Sequence, residues 1–157
     1  MNILPVCQQD LSEVLAVQKA AFAAEAQLVS NWKIPPLTQT IDELAEDWRK
    51  GIMLKAVNED GMIVGTVRGH VAPDGFYIGK LAVLPPWQGR GCGSALLEAI
   101  IAQARAIPCT LPCSKRMVLF TSAKSERNLR LYERFGFRPF NKSTTANGVA
   151  LIWLEML

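Results

Sequence analysis

Residues 81–97 read LAVLPPWQGRGCGSALL, and the way that stretch is parsed decides the rest of the chain. Its first part is an apolar strand that must stop at Pro85-Pro86, because neither proline can donate a ladder hydrogen bond. Its last part opens a run in which Leu96, Leu97, Ile100, Ile101 and Ala104 fall at helical offsets, which predicts a helix from about Gly91 to Ile107. Between the two, Gly89, Gly91 and Gly93 make a strand-to-helix turn. A helix that begins after such a turn presents unpaired backbone N–H groups and the positive end of its dipole. Glycines let an anion approach without a Cβ in the way. The glycines alone fit either a phosphate cradle or a tight connection.

Spacing narrows the choice of anion. A nucleoside triphosphate loop needs G-x-x-x-x-G-K-[ST], and no lysine follows these glycines. A dinucleotide fingerprint needs G-x-G-x-x-G after a strand, with an acidic residue ending the next one, and RMVLFT (116–121) has none.

Outward from the turn, NILPV (2–6) is a short apolar stretch, and Leu11, Val14, Leu15, Gln18 and Phe22 recur at helical spacing. Residues 27–39 hold two prolines and no period, so they read as a loop. Thr40 and Glu43 form a T-x-x-E capping box ahead of Ile41, Leu44, Ala45 and Trp48, and Gly51 ends that second helix. MLKAVN (53–58) and MIVGTVRGHV (62–71) flank EDG as a hairpin, and FYIGKLAVL (76–84) follows. RMVLFT is a buried strand, SERNLRLYERF (125–135) a short helix stopped by Gly136, and FRPF (137–140) and GVALIWLEM (148–156) are closing strands. The expected fold is α+β: a mixed, mostly antiparallel sheet with helices on its faces, in the order β–α–α–β–β–β–α–β–α–β–β.

At 157 residues, 50% hydrophobic and 20% charged, the chain is expected to fold as one globular domain over 1–157. No apolar run has membrane-spanning length and the start lacks a signal-peptide pattern, so the expected location is cytoplasmic, with no membrane partner. A net charge of +3 without a dense Lys/Arg cluster does not point to nucleic acid. Cys7, Cys92, Cys109 and Cys113 are expected as reduced thiols. Cys109 and Cys113 have C-x3-C spacing, but His70 is the sole histidine and no second pair exists, so no metal site is expected.

Two segments together carry a family resemblance. LAVLPPWQGRGCGSALL resembles the acetyl-coenzyme A signature of the GNAT superfamily of N-acetyltransferases, in which L-x-V-x-P leads into Q/R-x-x-G-x-G/A. Leu81, Val83 and Pro85 match the first element, and Gln88, Gly91 and Gly93 the second. SERNLRLYERFGFRP (125–139) is similar to that superfamily's N-x-x-x-x-Y-x-x-x-G-F segment, with Asn128 and Tyr132 four apart rather than five and Gly136-Phe137 following. The element order matches as well, so the resemblance covers nearly the whole chain.

That resemblance implies an N-acetyltransferase that uses acetyl-CoA as cosubstrate, without a metal, to acetylate a primary amine whose identity stays open. It places the coenzyme pyrophosphate on the backbone N–H groups of Gly89, Arg90, Gly91, Cys92, Gly93 and Ser94, with charge from Arg90 and a hydroxyl from Ser94, and counts Gln88 of the same motif among the cofactor-binding residues. Direct transfer needs no covalent enzyme intermediate, so the Cys92 side chain reads as packing. The sheet is expected to splay at Leu81, Ala82 and Val83, whose backbone would meet the pantetheine amides and polarise the thioester carbonyl. Asn128 would hydrogen-bond the coenzyme, and Tyr132 would protonate the departing thiolate.

The amine's proton acceptor stays open. FYIGKLAV lacks the carboxylate that related enzymes often carry on this strand. Glu25 is the leading candidate because its region borders the acceptor cleft in the family; His70 and a water chain are the others. Arg68 and Lys80 read as residues that tune the site's charge or face solvent. The acceptor pocket is expected from loop 27–39, with Trp32 and Pro35-Pro36 as walls. A homodimer through the terminal strands is compatible with the sequence. The competing readings are transfer of another acyl group, O-acetylation, or non-catalytic coenzyme A binding.

Overall fold

The computed structural model of the protein describes residues 1–108 and 115–157; the Cys109/Cys113 spacing lies outside the described residues. Its elements are β1 (Asn2–Pro5), α1 (Leu11–Val29), α2 (Pro35–Thr38), α3 (Ile41–Lys50), β2 (Ile52–Val57), β3 (Ile63–Ala72), β4 (Gly75–Val83), α4 (Cys92–Ala106), β5 (Met117–Ser122), α5 (Glu126–Arg134), β6 (Arg138–Thr144) and β7 (Ala150–Met156). The seven strands form one sheet in the order β1-β2-β3-β4-β5-β7-β6. Among the described residues only β4 and β5 pair in parallel; their connection has to cross the sheet, and α4 is the crossover helix. The mixed, mostly antiparallel α+β architecture is the one expected.

The loop expected over 27–39 is a correction. Helix α1 continues through Val29 because Ala26 is fully buried against Ile34 and Val149, and it ends where Ser30 turns left-handed (φ 53°). One further turn forms at Pro35–Thr38, where prolines at its start already hold helical φ. The capping box forms as spaced: Glu43 N–H donates to Thr40 Oγ1 (3.2 Å) and Thr40 N–H to Glu43 Oε1 (2.9 Å).

Each face of the sheet buries its own helices. On one side Leu96, Leu97, Ile100 and Ile101 of α4 and Leu131 and Tyr132 of α5 pack on Val64, Val67, Leu119 and Leu154. On the other, Leu11, Val14 and Val17 of α1 and Leu44 of α3 pack on Met53 and Ile63. Among the described residues no helix is long and apolar enough to cross a membrane.

Two irregularities in β4 prepare the functional region. Its register with β3 passes from Gly79↔Arg68 to Ala82↔Thr66, so Lys80 and Leu81 oppose Val67 alone: a β-bulge, with Lys80 at φ 48°. Its parallel pairing with β5 covers only Phe76↔Met117 and Tyr77↔Val118. Past Tyr77 the two strands part.

Helix α4 sits close on β3 because Gly65 has no side chain: a Cβ there would come 2.9 Å from both Cys92 Sγ and Leu96 Cδ1. Gly65→Ala is therefore expected to destabilise the protein by about 1–3 kcal/mol, the usual cost of overpacking, in urea denaturation. Unchanged stability would contradict this packing.

Candidate functional site

The parting of β4 and β5 opens a cleft of about 620 Å³. One wall is the end of β4, Leu81–Val83, and the glycine turn with the start of α4. The opposite wall is α5, with Ser125, Arg127, Asn128, Leu131 and Arg134. Ala21, Phe22, Ala24, Glu25 and Leu28 of α1 complete it. A concave space of this size has the dimensions of a small-molecule site.

Strand alternation decides which backbone groups face the gap. Leu84 N–H donates to Val64 C=O (2.9 Å), so the groups of Leu84 and Ala82 point at β3 and those of Leu81 and Val83 point the other way. There β5 no longer pairs, and the Val83 carbonyl accepts from the Gln88 side-chain amide (3.0 Å). Of the three residues expected to meet a ligand through the backbone, Leu81 and Val83 offer these groups to the cleft and Ala82 to the sheet.

At the turn, Gly89 and Gly91 hold φ of 76° and 83°, conformations that side-chain-bearing residues adopt only with strain. A Cβ at either would meet no atom within 4 Å, so the space in front of them is open. Helix α4 starts at Cys92 with Gly91 as N-cap and no side-chain cap. Its first-turn N–H groups therefore have no intrahelical acceptor, and Gly93 and Ser94 line the cleft. Gln88 links this turn to α5 by accepting a hydrogen bond from the Arg127 guanidinium.

Two expected residues are placed differently from the rest. The Arg90 guanidinium lies 5.1 Å from the centre of the Trp87 ring, and Arg90 does not line the cleft. Arg127 and Arg134, which sequence reading missed, bring positive charge to the wall instead. Their signal was present: Arg127, Leu131 and Arg134 stand at i, i+4 and i+7, one helix face. The Cys92 thiol is buried beneath Gly65, and burial pushes its pKa up to about 11, so only its backbone belongs to the turn.

Asn128 donates its side-chain N–H to Thr121 Oγ1 (3.3 Å), which fixes the amide while the residue lines the cleft. One turn on, Tyr132 is buried edge-on to Phe137, with ring centres 6.2 Å apart. Its hydroxyl bonds to no described residue, and Tyr132 itself does not line the cleft, although its helix neighbours Asn128 and Leu131 do. Burial raises the Tyr132 pKa, the Glu25 carboxylate raises it further, and the phenol keeps its proton. Burial likewise raises the pKa of the half-buried Glu25. The Glu25 carboxylate, which lines the cleft, and the Tyr132 phenol, which does not, thus lie close enough to influence one another.

The structure does not bring His70 there. It is exposed on β3 opposite Tyr77 and stacked on that ring at 5.7 Å, at the end of the strand away from the bulge. Trp32 is 60% exposed and does not line the cleft. Among the described residues no group of three or more His, Cys, Asp or Glu side chains is arranged to hold a metal.

A family model described as the acetyltransferase (GNAT) family matches residues 17–137. An acetyltransferase of Agrobacterium fabrum is 24% identical over 133 residues, 84% of this chain and 92% of that protein. A mycothiol acetyltransferase of Propionibacterium freudenreichii is 31% identical over 133 residues, 82% of this chain but 40% of that protein. The solved ribosomal-protein-S18-alanine N-acetyltransferase of Escherichia coli superposes with a TM-score of 0.75 at 19% identity, covering 99% of this chain and 92% of that one, a likeness of fold.

Glu25 yields a signed prediction. Because its folded pKa lies above the unfolded value, ionising it costs stability: nothing below the unfolded pKa of about 4.3, progressively more as pH rises to the folded pKa, and a constant amount above. Glu25→Gln is expected to stabilise the protein at pH 8 relative to wild type and to lose that gain at pH 3.5, in urea melts. A gain that grows as pH falls would contradict the placement of Glu25.

Proposed function

Because the chain belongs to the acetyltransferase (GNAT) family, we propose that it transfers an acetyl group from acetyl-CoA directly to a primary amine. The observation that carries the donor assignment is the uncapped start of α4 facing the same cleft as the outward backbone groups of Leu81 and Val83. These residues fit an elongated ligand with a pyrophosphate at one end and amides along its arm. When bound, acetyl-CoA supplies an acyl carbon activated by a thiolate leaving group.

The chain's own residues then divide the work. The N–H groups of Gly91, Cys92, Gly93 and Ser94 receive the pyrophosphate at the helix N-terminus, and Arg127, held beside the turn by Gln88, adds positive charge. The Leu81 and Val83 backbones hold the pantetheine arm, and their outward N–H groups stabilise charge developing on the thioester oxygen. Asn128, braced by Thr121, offers its free carbonyl oxygen to the arm. Glu25 accepts the proton that the attacking amine must lose, and Tyr132, kept protonated by burial, donates one to the departing sulfur. As the C–N bond forms and the C–S bond breaks, one proton goes to Glu25 and one leaves Tyr132, so a single transfer between the two through water resets the site.

The acceptor is less determined. The names of the similar proteins point to different acceptors, mycothiol in one and an alanine of ribosomal protein S18 in another. The chemistry around Glu25 favours an amine carried on an apolar group that packs on Ala21, Phe22 and Leu28.

The test follows free thiol release from acetyl-CoA with a panel of primary amines. Tyr132→Phe keeps the ring packing and removes the proton, so kcat is expected to fall by about 10²–10⁴-fold while coenzyme A binding by calorimetry stays at the wild-type value. A Tyr132→Phe variant with wild-type kcat would sink the acid assignment.

A further inference from the structure

On the sheet face that carries α1 and α3, a buried polar network lies beneath the β4 bulge. Arg68 of β3, with a side chain 11% exposed, donates from Nη2 to Gln18 Oε1 (2.7 Å) and to Gln39 Oε1 (2.9 Å). Gln18 of α1, 1% exposed, donates from Nε2 to the Pro36 carbonyl of α2 (2.8 Å) and to Gln39 Oε1 (3.0 Å). Gln39 in turn donates to Asp47 Oδ2 of α3 (2.8 Å), and that same oxygen lies 3.7 Å from Arg68 Nε and 3.8 Å from Lys80 Nζ in the bulge.

Such a network is a costly way to fill a core. Burial depresses even the Arg68 guanidinium, to a pKa of about 10, although Asp47 opposes the shift. Apolar side chains of the same volume would commonly be as stabilising, whereas a hydrogen-bonded network fixes one relative placement of the elements it joins. The elements joined here are α1, α2, α3, β3 and the bulged residue of β4.

What that placement achieves is visible along α1. Gln18 and Glu25 are seven residues apart, two helical turns and about 10 Å, so they share a face. Ala21 and Phe22, between them on that face, line the cleft with Glu25. The rotation of α1 about its axis therefore decides whether Glu25 points into the cleft; Glu13 of α1 accepts from the Ile63 N–H of β3 (3.1 Å) at the exposed first turn, and Gln18 makes the buried directional bond to the sheet, nearer to Glu25. The bulge that opens the cleft is tied to the same carboxylate, so one network references both walls to β3.

We propose that Gln18 and Arg68 are positioning residues for Glu25, locking the rotation of α1 that aims its carboxylate into the cleft. The proposal rests on the reading of Glu25 as proton acceptor. The titratable group that the Glu25 charge reaches is Tyr132 of α5; Arg127 and Arg134 of α5 line the same cleft, the β4 end contributes no charge to it, and Arg90 of the glycine turn is stacked away on Trp87.

The test is a ¹³C NMR titration of labelled glutamate side chains in the full chain, for wild type, Gln18→Met and the milder Arg68→Lys, with thermal melting as a control for folding. Freed from its directional bond, α1 turns and Glu25 gains water. Its titration midpoint is expected to fall towards about 4.3 in Gln18→Met, and part of the way in Arg68→Lys, in proteins that still melt cooperatively. A Glu25 midpoint equal to wild type in both variants overturns the proposal. Kinetics with acetyl-CoA and three probes (spermidine, tryptamine and an alanyl peptide) form the second arm. Gln18→Met is expected to lower kcat at least tenfold in the wild-type background and to have no further effect in Glu25→Gln. An equal loss in both backgrounds also overturns the positioning role, while wild-type kcat in Glu25→Gln alone refutes the proton-acceptor reading on which it rests.

Discussion

Between Arg68 and Thr66 of β3, strand β4 runs one residue over, and Lys80 absorbs the excess with a left-handed backbone at φ 48°. A side-chain-bearing residue in that conformation costs of order 1 kcal/mol or more and persists only where its surroundings hold it. Here the holding comes from Asp47 against its ammonium group and from continued pairing with β3 on either side. The consequence is geometric. With its end redirected, β4 pairs with β5 over two residues and then leaves Leu81 and Val83 facing open space. Had the two strands stayed in register, those backbone groups would be spent on each other and the sheet would have no cleft.

Every functional group is placed relative to that opening. The prolines that stop β4 deliver the chain to the glycine turn, and Gln88 reaches back to the Val83 carbonyl and forward to Arg127. The start of α4 and the Arg127 and Arg134 side chains bring positive charge to the cleft, while the wall formed by α1 carries one half-buried carboxylate among apolar residues. This separation of charge suits the proposed roles, an anionic donor near α4 and α5 and an amine near α1.

How far the sequence made this legible depends on the length scale of each cause. The Thr40/Glu43 cap, the Pro85-Pro86 stop and the glycine turn are local chemistry, and they appear in the structure at the expected places. Asn128, one residue after Arg127, was found through its motif, whereas Arg127 and Arg134 needed the helix face to be drawn out. The bulge was not legible in the residues alone, because nothing marks a lysine as left-handed; the splay was anticipated only through family resemblance. The continuation of α1 past residue 27 and the Gln18–Arg68 network were hidden for a different reason. Both depend on partners far away in sequence: Val149 for Ala26, and Arg68 for Gln18. A polar residue on an apolar stripe gives no sign of its partner until the chain is folded.

The central claim is that the opening made by the β4 bulge, with the α4 N-terminus at its edge, is where the donor coenzyme sits. Backbone amide NMR spectra recorded while coenzyme A is added test this most directly. The account predicts large shifts for the amides of Leu81, Val83 and Gly91–Ser94 and none for His70 and Val71, which lie at the end of β3 away from the bulge. Binding that leaves the glycine turn unshifted and moves amides elsewhere would contradict it.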